Sequence, residues 1–375
     1  MGSIPITRSS FHAKANTLSD CIIVGAGAIG LLSALALKQR GCTVTVVDRR
    51  NAGREASWAG GGILCPLYPW RYHEAINRLA FWSAERYPAI AEDLLARSGI
   101  DPQWQGSGLL ILDPPKETEV ANWSERFEQP VEQRPASAIF PTLSVERAAW
   151  MPRVGQVRNP RLMQSLEAAA RQEGIQLVEN TRVESIWLAG DQARGLRMAD
   201  GDTLAGDRVI VAAGAWSAPL VPGMPPDAIA PVRGQMLRLQ AEPDTLPAIL
   251  MDRGVYLIPR RDGGVIVGST VEHVGFDRGT TEQARRHLHD SALRIWPALA
   301  NAPITHHWSG LRPGSDNGVP SIGAHPQIEN LFLNTGHYRN GLVMGPASAE
   351  LLANLVSGEQ PILDPAPCDP ARRLV

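Results

Sequence analysis

Residues 20–48 read DCIIVGAGAIGLLSALALKQRGCTVTVVD, and this stretch decides the fold. The apolar run 21–24 is typical of a buried parallel strand. Residues 25–30 then form the pattern G-x-G-x-x-G, and good helix formers fill 31–38. Gly41 ends the predicted helix, and residues 43–47 supply a second strand. This order of strand, glycine turn, helix and strand predicts a dinucleotide-binding unit.

Each glycine of the G-x-G-x-x-G pattern has a predicted role. Gly25 makes the tight turn, Gly27 lets a pyrophosphate approach the backbone, and Gly30 lets the helix pack on the strand. The helix N-terminus adds unpaired N–H groups and the positive end of its dipole. Asp48 follows the second strand, where an acidic side chain binds a ribose hydroxyl and disfavours a 2′-phosphate. The complete unit favours FAD or NAD over NADP, and it favours dinucleotide binding over an incidental glycine turn.

The composition is that of an ordinary globular protein. The 375 residues include 36 Lys+Arg and 38 Asp+Glu, which gives a net charge of −2 without blocks of like charge. This balance predicts no nucleic-acid surface, and no apolar run reaches the ~20 residues of a membrane span. The four cysteines lack C-x-x-C spacing, so we expect no disulfide and a cytoplasmic location. No spacing of His, Cys, Asp or Glu predicts a metal site.

The rest of the chain alternates between two kinds of sequence pattern. Strand and helix patterns like those of the opening stretch return at 161–217 and 331–356. Residues 66–151 are rich in tryptophan and proline, with helical spacing over 76–95, and residues 230–304 alternate as antiparallel strands. We therefore predict an α/β fold (α+β overall) with a Rossmann-like cofactor domain and a second domain on a mainly antiparallel sheet. The cofactor domain comprises 19–65, 156–226 and 308–375, the second domain 66–155 and 227–307, and a flexible tail 1–18.

Five motifs follow one another in a diagnostic order. They are GAGAIG at 25–30, ASWAGGGIL at 56–64, VAAGAWS at 211–217, GLRPGS at 310–315 and GHYRNGL at 336–342. In this order they resemble the D-amino acid oxidase superfamily of flavoproteins, most closely its glycine oxidases of the thiamine pathway. The resemblance covers 20–358. It implies that the first domain binds FAD and that the second shapes the substrate site, with the isoalloxazine between them.

The resemblance also implies roles for individual residues. Arg312 matches the arginine that holds the substrate carboxylate, with Tyr256 beside it and Arg339 nearby, and Val271 falls at an apolar wall. Asp48 replaces the more usual glutamate. No cysteine lies near Leu311, where some sarcosine oxidase relatives attach the flavin, so we expect non-covalent FAD. The positions implied to contact FAD are Gly25, Gly27, Ala28, Ile29, Gly30, Asp48, Arg49, Ser57, Gly60, Gly61, Gly62, Ile63, Val183, Ala213, Gly214, Gly336, His337, Tyr338, Arg339, Asn340, Gly341 and Leu342.

The implied activity is the FAD-dependent oxidation of glycine and other small amines or D-amino acids, such as sarcosine, D-alanine and D-proline. Hydride transfer from Cα to flavin N5 gives an imine, which hydrolyses to a 2-oxo acid (glyoxylate from glycine) and ammonia or an amine. Molecular oxygen is the second substrate and becomes hydrogen peroxide. The substrate amine must be neutral when hydride leaves, so we expect turnover to accelerate as the pH rises. The resemblance implies a role in thiamine thiazole synthesis, and it is compatible with a homo-oligomer.

Two alternatives stay open at this stage. A D-amino acid or amine dehydrogenase would pass electrons to a quinone instead of oxygen, and a membrane-contacting patch would favour it. A flavin-binding domain without oxidase turnover, serving RNA modification or ligand sensing, would need a basic face or an appended domain. For Arg312 the structural alternative is a salt bridge between the domains, whereas the functional reading relies on the match of a guanidinium fork to a carboxylate.

Overall fold

The computed structural model describes residues 19–374, so the predicted tail at 1–18 lies outside the described residues. Within this range no helix has the length and apolar character needed to cross a bilayer. The α-helices of residues 19–374 are α1 (Ala28–Gln39), α2 (Ala56–Ala59), α3 (Glu74–Ala84), α4 (Tyr87–Ser98), α5 (Glu117–Phe127), α6 (Asn159–Gln172), α7 (Glu282–Ile295) and α8 (Gly341–Ser357). The strands of the same range are β1 (Ser19–Val24), β2 (Val44–Val47), β3 (Gln105–Gly106), β4 (Leu109–Ile111), β5 (Glu132–Arg134), β6 (Ala148–Met151), β7 (Gly155–Gln156), β8 (Gln176–Val178), β9 (Val183–Ala189), β10 (Gln192–Met198), β11 (Thr203–Val211), β12 (Ala230–Gln240), β13 (Ile249–Asp252), β14 (Val255–Pro259), β15 (Gly264–Gly268), β16 (Ile304–Gly314), β17 (Ser321–Ala324) and β18 (Leu331–Thr335).

The first sheet contains the opening dinucleotide-binding unit. Its main order is β17-β18-β11-β1-β2-β8, and β10 and β9 continue it from β11. The central pairs β18–β11, β11–β1, β1–β2 and β2–β8 are parallel. Read along the chain, these five strands have the order 3-2-1-4-5 of a Rossmann-like sheet. The predicted α/β fold is therefore confirmed, and the carboxyl ends of β1, β2 and β11 meet at one edge.

The second sheet is mainly antiparallel, as predicted. Its order is β16-β12-β15-β14-β13-β4-β6-β5, and β13–β4 is its parallel pair. The predicted hairpin turn at 261–264 joins β14 to β15, and α7 contacts the strands around it. β16 pairs with β12 along its length, and the predicted domain boundary at 307/308 falls inside it. The division into domains itself stays a prediction.

The predicted helical stretch at 76–95 contains two helices rather than one. α3 ends at Ala84, and α4 begins at Tyr87 with Pro88 in its first turn. Pro88 has no N–H to donate and its ring would clash within a continuing helix, so the helix stops and starts again. α4 ends at Ser98, and the next residue, Gly99, has a left-handed backbone (φ 70°) that is common after the C-terminus of a helix.

α8 carries a proline inside it and needs outside partners there. Pro346 lacks the N–H that would donate to Leu342 O, four residues earlier. The buried Tyr87 hydroxyl of α4 donates to Leu342 O instead, at 2.6 Å. Ala347 N donates to Ser83 Oγ of α3 at 2.9 Å. α3 and α4 thereby satisfy the interrupted turn and fix the position of the N-terminus of α8.

We expect Tyr87→Phe to lower the free energy of unfolding by about 1–3 kcal/mol, because Leu342 O loses its donor in a buried position. Urea denaturation of the FAD-loaded protein measures this loss. The control is the same change in a Pro346→Ala background, where the new backbone N–H can donate to Leu342 O along the helix. The loss from Tyr87→Phe should be clearly smaller there. Equal losses in the two backgrounds would show that the hydroxyl does not replace the missing helical donor.

Candidate active site

One cavity, called here the main cavity, lies where the two sheets meet. Its volume is about 340 Å³. The carboxyl ends of β1, β2 and β11 bound it on one side, and β12, β14 and β16 of the second sheet bound it on the other. Ligands of parallel α/β sheets bind at this edge, in the crevice where the strand order reverses. Here the strand order reverses at β1, because β2 and β8 follow it on one side and β11 and β18 follow it on the other.

Most residues that the sequence predicts for the site line the main cavity. Gly30 and Gly336 are the exceptions among the described residues. A Cβ at Gly30 would lie 1.8 Å from Gly25 O, so Gly30 permits the close packing of α1 on the glycine loop. Val271 is 43% exposed and also lies outside the cavity lining. The predicted residues that line the cavity are Gly25, Gly27, Ala28, Ile29, Asp48, Arg49, Ser57, Gly60, Gly61, Gly62, Ile63, Val183, Ala213, Gly214, Tyr256, Arg312, His337, Tyr338, Arg339, Asn340, Gly341 and Leu342.

The N-terminus of α1 opens into the main cavity. Its N-cap is Gly27, which offers no capping side chain, so the first turn depends on outside acceptors. Ala28 N donates to Ser57 Oγ at 2.9 Å. A Cβ at Gly27 would meet this same hydroxyl at 3.2 Å. Because Gly27 has no side chain, the N-terminus of α1 stays open to an anionic group at the positive end of the helix dipole.

Asp48 lies at the end of β2 and braces the glycine loop. Its Oδ2 accepts from Ala26 N at 2.7 Å, and its Oδ1 accepts from Arg50 N at 2.8 Å. Burial raises the pKa of Asp48, and the two backbone donors oppose this rise. A carboxylate has about four lone-pair sites, so two donors leave capacity for a hydroxyl group. Beside it, the Arg49 guanidinium lies 4.5 Å from the centroid of the Trp216 ring. Trp216 belongs to the motif at 211–217, but the sequence did not predict its contact with Arg49.

The three consecutive glycines form a wall that has no space for side chains. A Cβ at Gly61 would lie 2.8 Å from Ile258 Cδ1. One at Gly62, which has a left-handed backbone (φ 79°), would lie 2.0 Å from Val157 O. Two residues that sequence reasoning missed hold this segment in place. Asn159 Nδ2 donates to Ser57 O at 2.7 Å, and Arg260 Nη2 donates to Gly61 O at 2.7 Å.

The N-terminus of α8 opens into the same cavity. Its N-cap, Asn340, makes no side-chain capping bond, and Asn340 Nδ2 is buried without a partner in the described residues. His337 is buried too, and burial lowers its pKa to about 3. Its Nε2 lies 2.9 Å from Ser348 Oγ of α8. His337 is therefore neutral and is held by α8, while the unpaired Asn340 amide and the helix N-terminus can donate to a ligand.

These groups together fit FAD. A dinucleotide needs N–H donors at a helix N-terminus for its pyrophosphate and an acidic acceptor for its ribose. The main cavity supplies the first at α1 and the second at Asp48. At the other end, α8 and the unpaired Asn340 amide provide donors for a polar ring edge. The four cysteines are all free, and Cys65 lines the cavity with a pKa raised by burial.

Arg312 is a cation without a carboxylate partner. Its Nη2 donates to Ser269 Oγ at 2.7 Å, and its Nη1 donates to Thr270 O at 3.1 Å. No Asp or Glu of residues 19–374 lies within 4 Å of its guanidinium. Burial lowers the pKa of Arg312, with a contribution from the positive charge of Arg339. A Cβ at Gly234 would lie 2.1 Å from Arg312 Nη2, so this glycine makes room for the guanidinium.

Tyr256 and Arg339 complete this end of the cavity. Tyr256 is buried, and a Cβ at Gly268 would lie 2.7 Å from its ring. The ring is thus packed directly against the neighbouring strand, which fixes its direction. Arg339 makes neither a hydrogen bond nor an ion pair with the described residues. Tyr256, Arg312 and Arg339 all line the main cavity, and together they form a cationic, partly desolvated end of it.

Comparison with known proteins agrees with this geometry. The chain is 46% identical to the glycine oxidase of Pseudomonas aeruginosa over 360 residues, covering 94% of this chain and 99% of that protein. It is 32% identical to the bifunctional protein ThiO/ThiG of Trichormus variabilis, covering 90% of this chain and 52% of that protein. The crystal structure of glycine oxidase from Geobacillus kaustophilus superposes with a TM-score of 0.87 at 29% identity, covering 95% of this chain and 99% of that one. The family of FAD-dependent oxidoreductases abbreviated DAO matches residues 20–355, and the chain belongs to this family.

Proposed function

We propose that the protein catalyses the oxidative deamination of glycine, and of other small amines or D-amino acids, with oxygen as the electron acceptor. Glycine, oxygen and water would give glyoxylate, ammonia and hydrogen peroxide. The observation that carries this proposal is Arg312, a half-buried guanidinium without a carboxylate partner in the described residues, facing the cavity that fits FAD. The similarity to glycine oxidases over nearly the whole chain supports it.

The proposed position of FAD follows the two helix N-termini. Ala28 and Ile29 would contact the pyrophosphate, and Asp48 would accept from the adenosine ribose. The glycine wall at 60–62 and the start of α8 would line the ring system. When bound, FAD supplies the electron acceptor for oxidation of the substrate Cα–H bond.

The chain's own residues would bind and orient the substrate. A guanidinium has five N–H donors, more than the neutral acceptors around Arg312 use, so a bidentate carboxylate contact remains available. The Tyr256 ring excludes water from this contact, and Arg339 adds positive charge. A carboxylate held in one position fixes the direction of the substrate Cα–H bond. Orientation of the reacting bond can supply a large part of the rate enhancement.

A role in thiamine thiazole synthesis and a cytoplasmic location belong to the same proposal. The first is supported by the similarity to the bifunctional protein ThiO/ThiG, of which the match covers 52%. The second is supported by the four free cysteines, which suit a reducing compartment.

The reaction is tested by measuring oxygen uptake and peroxide formation with glycine, sarcosine and D-proline. We expect one peroxide per oxygen consumed and glyoxylate from glycine, with rates rising with pH because the neutral amine is the reactive form. Reduction of a quinone analogue by glycine without peroxide would overturn the oxidase assignment. Absence of both reactions with all three substrates would overturn the substrate class.

We expect Arg312→Ala to lower kcat/KM for glycine by about 2–5 kcal/mol in transition-state free energy, because a desolvated charge contact is lost. Arg312→Lys should recover part of this loss, since an ammonium keeps the charge but not the planar fork. Both variants should keep FAD, which the flavin spectrum checks. Near-normal glycine kinetics in Arg312→Ala would place the carboxylate elsewhere, with Arg339 the next candidate.

We expect Asp48→Ala to weaken FAD binding by about 1–3 kcal/mol, because a ribose hydroxyl and Ala26 N both lose an acceptor. Titration of the apoprotein with FAD, followed by flavin fluorescence, measures the affinity. Asp48→Glu is the matched control, since it keeps the carboxylate and should retain most of the affinity. An unchanged affinity in Asp48→Ala would remove this residue from the cofactor site.

Bound FAD should separate from the protein on acid or heat denaturation. The four cysteines are free, and burial keeps the Cys65 thiol protonated by raising its pKa. A thiol in this form is a poor nucleophile, so it should not bond to the flavin. Yellow colour that stays with the precipitated protein would contradict the non-covalent assignment.

A further inference from the structure

A second cavity adjoins the main cavity and has a different lining. Its volume is about 510 Å³, and it shares Glu55, Ala59, Gly60 and Gly310 with the main cavity. Two tryptophans, Trp58 and Trp308, form part of its wall. The five arginines that line it are Arg54, Arg158, Arg238, Arg260 and Arg278. We call this space the arginine cavity; the proposed oxidation of glycine gives it no role.

The positive charge of the arginine cavity is only partly neutralised. Glu55 forms an ion pair with Arg278, and it also pairs with Arg50 at 3.3 Å. Asp262 accepts from Arg158 at 3.0 Å and from Arg238 at 3.3 Å. Five lining arginines thus face two carboxylates, which leaves an excess of three positive charges.

Two of the arginines have no ion pair among residues 19–374. Arg54 lies over Trp58, 3.9 Å from the centroid of its ring. Arg260 donates only to neutral acceptors, which are Gly61 O, Val157 O and Gln156 Oε1. Burial is the main cause that lowers the pKa of Arg260; the charge of Arg158 lowers it further, and the charge of Asp262 opposes the change. A bound anion would stabilise the protonated form of Arg260.

The chemistry of the lining selects a class of ligand. Planar guanidinium groups match phosphate oxygens in a bidentate fashion, and a phosphate monoester carries a charge of about −1.5 to −2 near neutral pH. The volume lies within the range of roughly 300–1,000 Å³ found for small-molecule pockets, so an organic group fits beside the phosphate. Trp58 and Trp308 offer apolar and aromatic surface to that group. Trp308 is held in place because its Nε1 donates to Ala59 O at 3.0 Å.

We propose that the arginine cavity binds a small organic phosphate, with the phosphate group on the arginines and the organic group against the tryptophans. The ligand would lie next to the segment that carries the glycine wall. Arg260 connects the arginine cavity to the glycine wall, because it lines that cavity and donates to Gly61 O. This site is separate from the amino acid site at Arg312, which lies in the main cavity.

The test uses the FAD-loaded protein, so that the cofactor site cannot bind the probe. Phenyl phosphate and inorganic phosphate are titrated by calorimetry, with sodium chloride at matched ionic strength as the control. We expect saturable binding of both phosphates, tighter for phenyl phosphate, and a melting temperature that rises with phosphate concentration. Saturating glycine should not displace phenyl phosphate. An effect of phenyl phosphate no larger than that of chloride, or its displacement by glycine, would overturn the proposal.

Variants locate the binding. Arg158→Ala and Arg238→Ala lie outside the main cavity, and each should weaken phenyl phosphate binding by about tenfold or more, the usual cost of a charged hydrogen bond. Arg153→Ala, an exposed arginine outside both cavities, is the matched control and should bind as the unaltered protein does. Arg158→Lys and Arg238→Lys keep the charge next to Asp262 and should fold normally even where the alanine variants do not. They should show an intermediate loss. If neither Arg158→Ala nor Arg238→Ala changes the affinity for phenyl phosphate, the assignment to this cavity would be overturned.

Discussion

Close contact between backbones at the carboxyl edge of the first sheet constrains the rest of the site. A Cβ at Gly25 would lie 2.4 Å from Ala212 O, and one at Gly30 would lie 1.8 Å from Gly25 O. Side chains at these positions would force α1 away from the ends of β1 and β11. Because both are glycines, α1 begins directly against the strand ends, and its first N–H groups face the main cavity. The direction of this helix dipole is therefore a consequence of backbone packing and needs no charged side chain.

The second helix that points into the cavity is fixed by other means. Pro346 interrupts the hydrogen bonds of α8, and Tyr87 and Ser83 from two neighbouring helices supply the missing partners. α8 is therefore tied to α3 and α4, neither of which contributes a residue to the lining of the main cavity. The segments between the two helix N-termini are held by side chains from the rest of the molecule. Asn159 bonds Ser57 O, and Arg260 bonds Gly61 O.

These contacts show where sequence reasoning succeeded and where it stopped. The glycine loop and Asp48 were predictable because one local pattern of 29 residues, 20–48, contains the strand, the turn, the helix and the acid. The Arg260–Gly61 contact joins residues 199 positions apart, and the Asn159–Ser57 contact joins residues 102 apart. Such pairs depend on how distant segments of the chain pack together, which no local pattern specifies. The break between α3 and α4 was hidden because the apolar spacing continues through both helices, which bury residues in the same core.

Two arginines on the paired strands β12 and β16, Arg233 and Arg312, have different surroundings, and the difference bears on function. A structural arginine between two sheets would be expected to have a carboxylate, because an unpaired buried charge is costly. Arg233 follows this rule, since it is buried and pairs with Glu272 and Asp277. Arg312 lies on β16, opposite a neighbouring position of β12, yet it has only a hydroxyl and carbonyl groups as partners in the described residues. The same pair of strands thus holds one neutralised arginine and one that keeps its charge available at the cavity. An arginine whose charge is available at a cavity is what a carboxylate-binding site requires.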